Sequence, residues 1–469
     1  MIQEFKIRNV LSFKNEVTFS FVASNDQFAE DSQVVKINDS TRLLRFGVLY
    51  GYNASGKSNL LYAFDFLPRF WSYKPEGMDE PTGVVPFKLD TVSPNEPSCF
   101  ELIFFVGNVK YWYQLELDRN QVYLEKLSYY KSAQPTMLFE RKLVDGHSEV
   151  EINPKGDKIS ASAKELINGY CLKNLSFFVA RNQVNASLPL IDAAKNWMKE
   201  QTMPAVFPST YLTDYAQRKT AENKDLTQYL VNFLHEADFN ITNISSDIVN
   251  RQISDEEVKF RISDESIPKD ERERIKKERT ISLLHTSFEH TVENENGREA
   301  YQMNRGDEST GTLRTFGIET VLYEALAKNA FLPIDEIETS QHPKLLEMML
   351  YEYLKTHSRS QLLVTTHNDG LLDLVDDLIR KDSVWFTEKD KAGVTDLYKL
   401  TDFRGVNRLS SIREAYRNKR FARTGICRGL ALCRIYNAGG KTPRKRSLFS
   451  DSEPYRRYKY RFGFVYQYR

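Results

Sequence analysis

GYNASGKS, residues 51–58, is the stretch on which the fold turns. It matches GxxxxGK[ST], the pattern of a loop whose glycines let successive backbone N–H groups point inward at phosphate oxygens. Gly51, Asn53, Ala54, Ser55, Gly56, Lys57, Ser58 and Asn59 are therefore the candidate nucleotide contacts. Lys57 is expected to reach the β- and γ-phosphates, and Ser58 to ligate Mg²⁺. LLRFGVLY, residues 43–50, precedes the loop and reads as one strand buried on both faces. From Lys57 to about Phe70 the chain is apolar at helical spacing, with a stop expected near Pro68. Strand, glycine loop and helix, in that order, set a helix N-terminus and its partial positive charge against a bound anion.

Working outward, Ile2, Phe5 and Ile7 and then Val17, Phe19 and Phe21 alternate with polar residues, as strands do. From Val84 to Arg141 aromatic and branched residues alternate in CFELIFFVG, VKYWYQLELD and QVYLEKLSYY. Gly107-Asn108 and Asp118-Arg119-Asn120 supply turn chemistry between them, which predicts a β-meander. Residues 191–300 turn helical and densely charged, as in KDERERIKKERT at 269–280, and read as a mainly helical insertion with a solvated face.

Two further stretches carry candidate chemistry. In NAFLPIDEIETSQHP an apolar run ends in Asp335-Glu336, and carboxylates at the C-terminal end of a buried strand stand beside the phosphate loop in doubly wound sheets. Asp335 is the candidate for holding Mg²⁺, and Glu336 the candidate general base for the water that attacks the γ-phosphorus. Pro333 argues back, because proline removes a ladder donor from what should be a central strand: either the strand is irregular there or its pairing begins later. In QLLVTTHND a strand-like run leads to His367, which can donate a hydrogen bond to a γ-phosphate.

These motifs together resemble the ABC-type ATPase heads, and specifically the bacterial AAA-type ATPases of the RecF/OLD-like group. The resemblance rests on SFKN (residues 12–15), GYNASGKSN, DESTGTLRT (307–315), IDEIETSQHP and LLVTTHND, spread over roughly residues 1–410. It implies an α/β P-loop NTPase of ABC-ATPase-head type with a β-rich lobe and a helical insertion, using ATP and Mg²⁺. DESTGTLRT resembles the family's signature, in which Ser309 and Gly311 start a helix whose N-terminus faces the γ-phosphate bound by a second protomer, with Arg314 as a trans contact. Asp307, Ser309 and Thr310 are also good N-cap residues in their own right. The implied mechanism is a head-to-head dimer closed by ATP and released by hydrolysis, with Glu336, Lys57 and His367 as the catalytic set.

The expected organisation is a first part of the head at 1–190, the insertion at 191–300, a second part of the head at 301–410 and a basic extension at 411–469. Residues 421–469 hold twelve Lys and Arg against Asp451 and Glu453, a net +10 that leaves −9 on the preceding residues of a chain whose formal total is +1. The tail's basic and tyrosine-rich runs suit contact with nucleic acid or an acidic partner, and equally an extension without structure. Four cysteines without a CxxC pair give no disulfide framework. No signal-peptide core or membrane-length apolar stretch is present in the sequence, so a cytoplasmic protein without a membrane partner is expected. The acids after His367 do not form the glutamate and Asp-x-Asp set of a Toprim nuclease, which leaves cutting, if any, to a separately encoded effector. The leading reading is thus an ATPase sensor or regulator in anti-phage or restriction-like defence, with an ATP-gated DNA-repair or DNA-end-binding clamp as the alternative.

Overall fold

The computed structural model describes residues 1–422 apart from 238, 265, 266 and 268; the expectation for the tail over 423–469 lies outside the described residues. In chain order, β1 (Ile2–Arg8) and β2 (Val17–Ser20) form a hairpin, β3 (Val34–Asn38) pairs with β4 (Thr41–Leu44), and β5 (Phe46–Tyr50) leads into the glycine loop. A meander follows: β6 (Ser98–Val106), β7 (Val109–Leu117), β8 (Val122–Tyr130), β9 (Pro135–Val144) and β10 (His147–Ile152). Later come β11 (Ile241–Gln252), β12 (Thr280–Asn294), β13 (Gly297–Asn304), β14 (Phe331–Ile334), β15 (Gln361–Thr366), β16 (Val384–Lys389) and β17 (Thr395–Lys399).

The core sheet runs β14-β15-β5-β16-β17 and is parallel except for β17. Period-two alternation divides its side chains between two cores. Phe46, Val48 and Tyr50 point to one face with Leu362, Val364 and Phe386, while Leu49, Leu363 and Trp385 point to the other. The helix Thr310–Lys328 and the helix Pro343–Lys355 cover the first face. The loop helix Lys57–Ser72 covers the second and is itself roofed by a sheet of order β10-β9-β8-β7-β6-β1-β2. Phe5 stacks on Phe64 of the loop helix at 4.0 Å, so the aromatic residues of the meander and hairpin are packing residues.

The expected meander is present. Gly107 turns at φ 60°, and Asp118 Oδ1 accepts from the N–H groups of Asn120 (2.7 Å) and Gln121 (2.9 Å) at the next turn.

Three local expectations change. Residues 43–50 are two strands, broken at Arg45, whose buried guanidinium donates to the carbonyls of Ser32 (2.8 Å) and Thr356 (2.5 Å), the latter at the end of the helix Pro343–Lys355. The loop helix does not stop at Pro68 but continues to Ser72. Phe70 and Trp71 are 5% and 3% exposed, and Trp71 stacks on Phe178 at 3.8 Å, which outweighs a lost helix bond costing about 3 kcal/mol.

Pro333 sits inside β14, paired with Leu363, and the strand is regular. β14 is the edge of the sheet, and its odd residues face outward: Phe331 N donates to Gln201 O, while Met203 N and Val206 N donate to the carbonyls of Phe331 and Pro333. The missing proline donor therefore lies on the side away from β15, where no ladder bond is lost.

The insertion holds a sheet as well as the expected helices. The helices Thr213–Glu222 and Lys224–Glu236 are followed by an antiparallel sheet β11-β12-β13, with the helices Asp255–Ser263 and Lys269–Glu278 between β11 and β12. Polar residues on both faces of these strands mask their period: β13 has no buried residue.

Candidate functional site

β5 ends at Tyr50, and the loop after it is shaped by contacts that exclude larger side chains. A Cβ on Gly51 would come 2.3 Å from Ser55 Oγ and 2.4 Å from Thr387 Oγ1. Gly56 has φ 109°, and its Cβ would lie 2.5 Å from Thr395 Oγ1. Ser55 Oγ hydrogen-bonds Thr387 Oγ1 at 2.7 Å, and Thr395 Oγ1 donates to Ser55 O (2.9 Å) and lies 2.8 Å from the Ser12 hydroxyl. The loop is thus braced from β16, β17 and the β1–β2 connection. Asn59, expected among the nucleotide contacts, instead donates from Nδ2 to Ser12 Oγ at 2.7 Å and completes that brace. Asn53 and Ala54 are exposed at the crest of the loop, with Ala54 at φ 62°.

Lys57 is 5% exposed. Its Nζ donates to Gly51 O at 2.9 Å and lies 3.4 Å from both Tyr52 O and His367 Nδ1. Burial lowers its pKa from the ordinary lysine value, partly offset by Asp335, Glu336 and Glu338. No carboxylate among the described residues forms an ion pair with it.

The loop helix begins at Gly56, whose missing side chain caps none of the first N–H groups. A buried ammonium without an ion-pair partner beside uncapped N–H groups fits a polyphosphate. Among the described residues no cluster of three or more His, Cys, Asp or Glu could hold a metal. Ser58 and Asp335 are the residues that would hold a magnesium ion, together with phosphate oxygens and water.

The carboxylates are fixed by Thr365, a residue the sequence reading passed over. Its Oγ1 donates to Asp335 Oδ1 at 2.6 Å and accepts from Glu336 N at 2.9 Å, while its carbonyl accepts from Ile337 N. Asp335 is 4% exposed. Glu336 has φ 47°, a left-handed conformation that costs a β-carbon-bearing residue energy and turns its partly exposed side chain toward His367, with Oε1 3.4 Å from Nε2.

Glu338, also missed, accepts from His367 N at 2.5 Å through Oε1, and its Oε2 is buried without a partner. The signals were present in TTHND and IDEIETS, but both roles depend on contacts between two strand ends. The structure therefore brings Lys57, Glu336 and His367 into one chain of contacts, with Asp335 held alongside.

The second group of expected residues lies elsewhere. Ser309 is the N-cap of Thr310–Lys328, with Oγ accepting from Thr312 N at 3.0 Å, as expected from DESTGTLRT. Gly311 lies against the turn after Glu336, where a Cβ would come 3.1 Å from Ser340 O. Arg314, the expected trans contact, is engaged within its own chain. It donates to Thr210 O (3.1 Å) and Phe207 O (3.5 Å), and burial lowers its pKa. No hydrogen bond described here joins Ser309, Gly311 or Arg314 to the glycine loop of the same chain.

A glycine loop between a buried strand and a helix, with an acidic strand end one strand removed in the sheet, defines an α/β P-loop ATPase fold. The model of the family described as "AAA domain, putative AbiEii toxin, Type IV TA system" matches residues 46–158 and 192–373, well over half of the chain, and the protein belongs to that family. No curated protein matches it. Among solved structures it is similar to the SMC head domain from Thermotoga maritima, at 12% identity over 85% of this chain and 98% of that one, with a TM-score of 0.37. It is also similar to the SmcHead bound to the C-winged helix domain of ScpA (12% identity, 89% and 99% covered, TM-score 0.41). An Smc head with an extended coiled coil bound to the C-terminal domain of ScpA, derived from Pyrococcus furiosus, follows (11%, 86% and 97%, TM-score 0.37).

Proposed function

We propose that the protein hydrolyses ATP and that ATP-driven pairing of two copies sets the state of a defence system whose effector is a separate protein. The observation that carries the ATPase reading is the contact series Lys57 Nζ, His367 and Glu336 at the mouth of the braced loop. In this reading the loop N–H groups and Lys57 bind the phosphates, and Ser58 and Asp335 hold Mg²⁺. Glu336 takes a proton from the attacking water, and His367 donates to the γ-phosphate. The Mg²⁺ supplies charge neutralisation on the phosphate oxygens when bound.

Pairing of copies is supported by what one chain does not join: the N-terminus of Thr310–Lys328 has no described hydrogen bond to its own glycine loop, which leaves Ser309 and Gly311 available to a phosphate held by a second copy. The defence role draws on the family description, with its toxin and toxin–antitoxin terms. None of the described helices is long and apolar enough to cross a membrane.

Glu336→Gln decides the central assignment. It is expected to lower ATP turnover by about 10²–10⁴-fold, the usual worth of a positioned base, while ATP binding persists and the paired form accumulates. Phosphate release, nucleotide titration and light scattering read the three quantities; undiminished turnover in the variant sinks the assignment. ATP-dependent, salt-sensitive DNA binding by the isolated protein would instead favour the clamp.

A further inference from the structure

The short helix Ile412–Arg417 follows the core sheet and reaches two parts of the site at once. Arg413 and Arg417, one turn apart, both grip Asp369. Arg413 Nε donates to Asp369 Oδ1 at 3.0 Å and its Nη1 to Asp373 Oδ2 at 2.6 Å. Arg417 donates from Nε to Oδ2 at 2.5 Å and from Nη2 to Oδ1 at 3.0 Å. The Arg417 hydrogen bonds lead the causes that hold the Asp369 carboxyl below the usual carboxylate range.

Asp369 opens the 3-10 turn Asp369–Leu374 two residues after His367. From the same helix, the Tyr416 ring stacks on Tyr52 of the glycine loop, with centroids 6.2 Å apart and planes at 17°, and on Phe386 at 5.6 Å. Lys419 lies 5.7 Å over the Tyr52 ring.

We propose that Ile412–Arg417 is a positioning element for the ATP site: the Arg413–Asp369–Arg417 clamp fixes the segment that carries His367, while the Tyr416–Tyr52 stack fixes the glycine loop opposite it. This rests on the ATPase reading above. Isolated surface ion pairs add little stability. Here, however, two guanidiniums share one carboxylate that is only 23% exposed, so the clamp restricts direction more than it stabilises the fold. A histidine held at 3.4 Å from both Lys57 Nζ and Glu336 Oε1 loses function with displacements of about an ångström.

The test measures steady-state ATP turnover, the dissociation constants of ATP and ADP, and thermal unfolding for the full chain. Asp369→Asn and the pair Arg413→Ala with Arg417→Ala are expected to lower kcat about tenfold and to weaken ATP binding more than ADP binding. The preference for ATP over ADP should fall toward that of His367→Ala, with the unfolding midpoint near wild type. Asp369→Glu, which keeps the shared carboxylate, should recover most of the loss. Wild-type kcat and wild-type ATP/ADP preference in the clamp variants overturn the proposal, as does an Asp369→Glu variant that loses as much as Asp369→Asn. A wild type that binds ATP without turning it over refutes the ATPase reading alone, because the ATP/ADP preference still decides the clamp; a wild type that binds neither nucleotide refutes both.

Discussion

Thr365→Val removes one oxygen and leaves the shape of the side chain. That hydroxyl both donates to Asp335 Oδ1 at 2.6 Å and accepts from Glu336 N at 2.9 Å. Thr365 itself is fully buried and Asp335 is 4% exposed, so water has little room to replace either bond. A lost hydrogen bond to a charged group costs about 1.5–3 kcal/mol, and a buried N–H left unpaired adds about 1–3 kcal/mol. Some relaxation is expected at Glu336, whose left-handed backbone is strained before the change. The destabilisation should therefore be about 2–4 kcal/mol, read from urea unfolding. The functional loss should exceed what unfolding explains. Both carboxylates leave their fixed places, so kcat at saturating ATP, measured where the variant is still folded, should fall at least about tenfold. A variant within about 0.5 kcal/mol of wild type and with unchanged kcat would show that Thr365 does not set the carboxylates.

Ser309→Arg should abolish turnover while leaving nucleotide affinity within about threefold, because the described hydrogen bonds of Ser309 stay within its own helix; phosphate release and fluorescent-nucleotide titration separate the two, and loss of both would mean misfolding instead. The Glu319 carboxyl, pushed up to about 8 by burial and bonded to Tyr229 OH at 2.6 Å, gives a pH dependence of stability. Its folded pKa lies above the unfolded value of 4.5, so the folded state binds the extra proton. Its contribution is complete below pH 4.5 and is lost progressively as pH rises to about 8; Glu319→Gln should flatten that part of the unfolding free energy against pH, and an unaltered slope would refute the assignment.

The glycine loop was legible because phosphate chemistry needs contiguous residues: Gly51, Gly56, Lys57 and Ser58 carry their meaning in their spacing. Asp335, Glu336 and His367 were legible by position, at the ends of apolar runs that became neighbouring strands. Thr365 and Glu338 were not, since each acts on a partner 29 residues away along the chain and nothing local distinguishes them from ordinary strand-end polar residues. The bonds that Asn59 makes to Ser12 and Arg314 to the 207–210 carbonyls were illegible for the same reason. Charge density in 269–280 suggested helix, and Lys269–Glu278 is one, but β11, β12 and β13 escaped notice because polar residues on both faces erase the two-residue period.

The insertion is tied closely to the helix whose N-terminus bears Ser309. Arg314 holds the 207–210 segment, Tyr215 OH donates to Glu324, and Tyr229 OH donates to Glu319, so three sites along Thr310–Lys328 engage the first part of the insertion. On β12, His290 Nε2 lies 2.7 Å from Glu308 Oε1, directly before Ser309, and Phe288 packs edge-on against Phe316. Moving the β11-β12-β13 sheet without moving Ser309 would break a half-buried polar contact and a packed aromatic pair together, at a cost of a few kcal/mol. The sheet is thereby joined to the start of that helix on both sides of Ser309, through Glu308 before it and Phe316 after it.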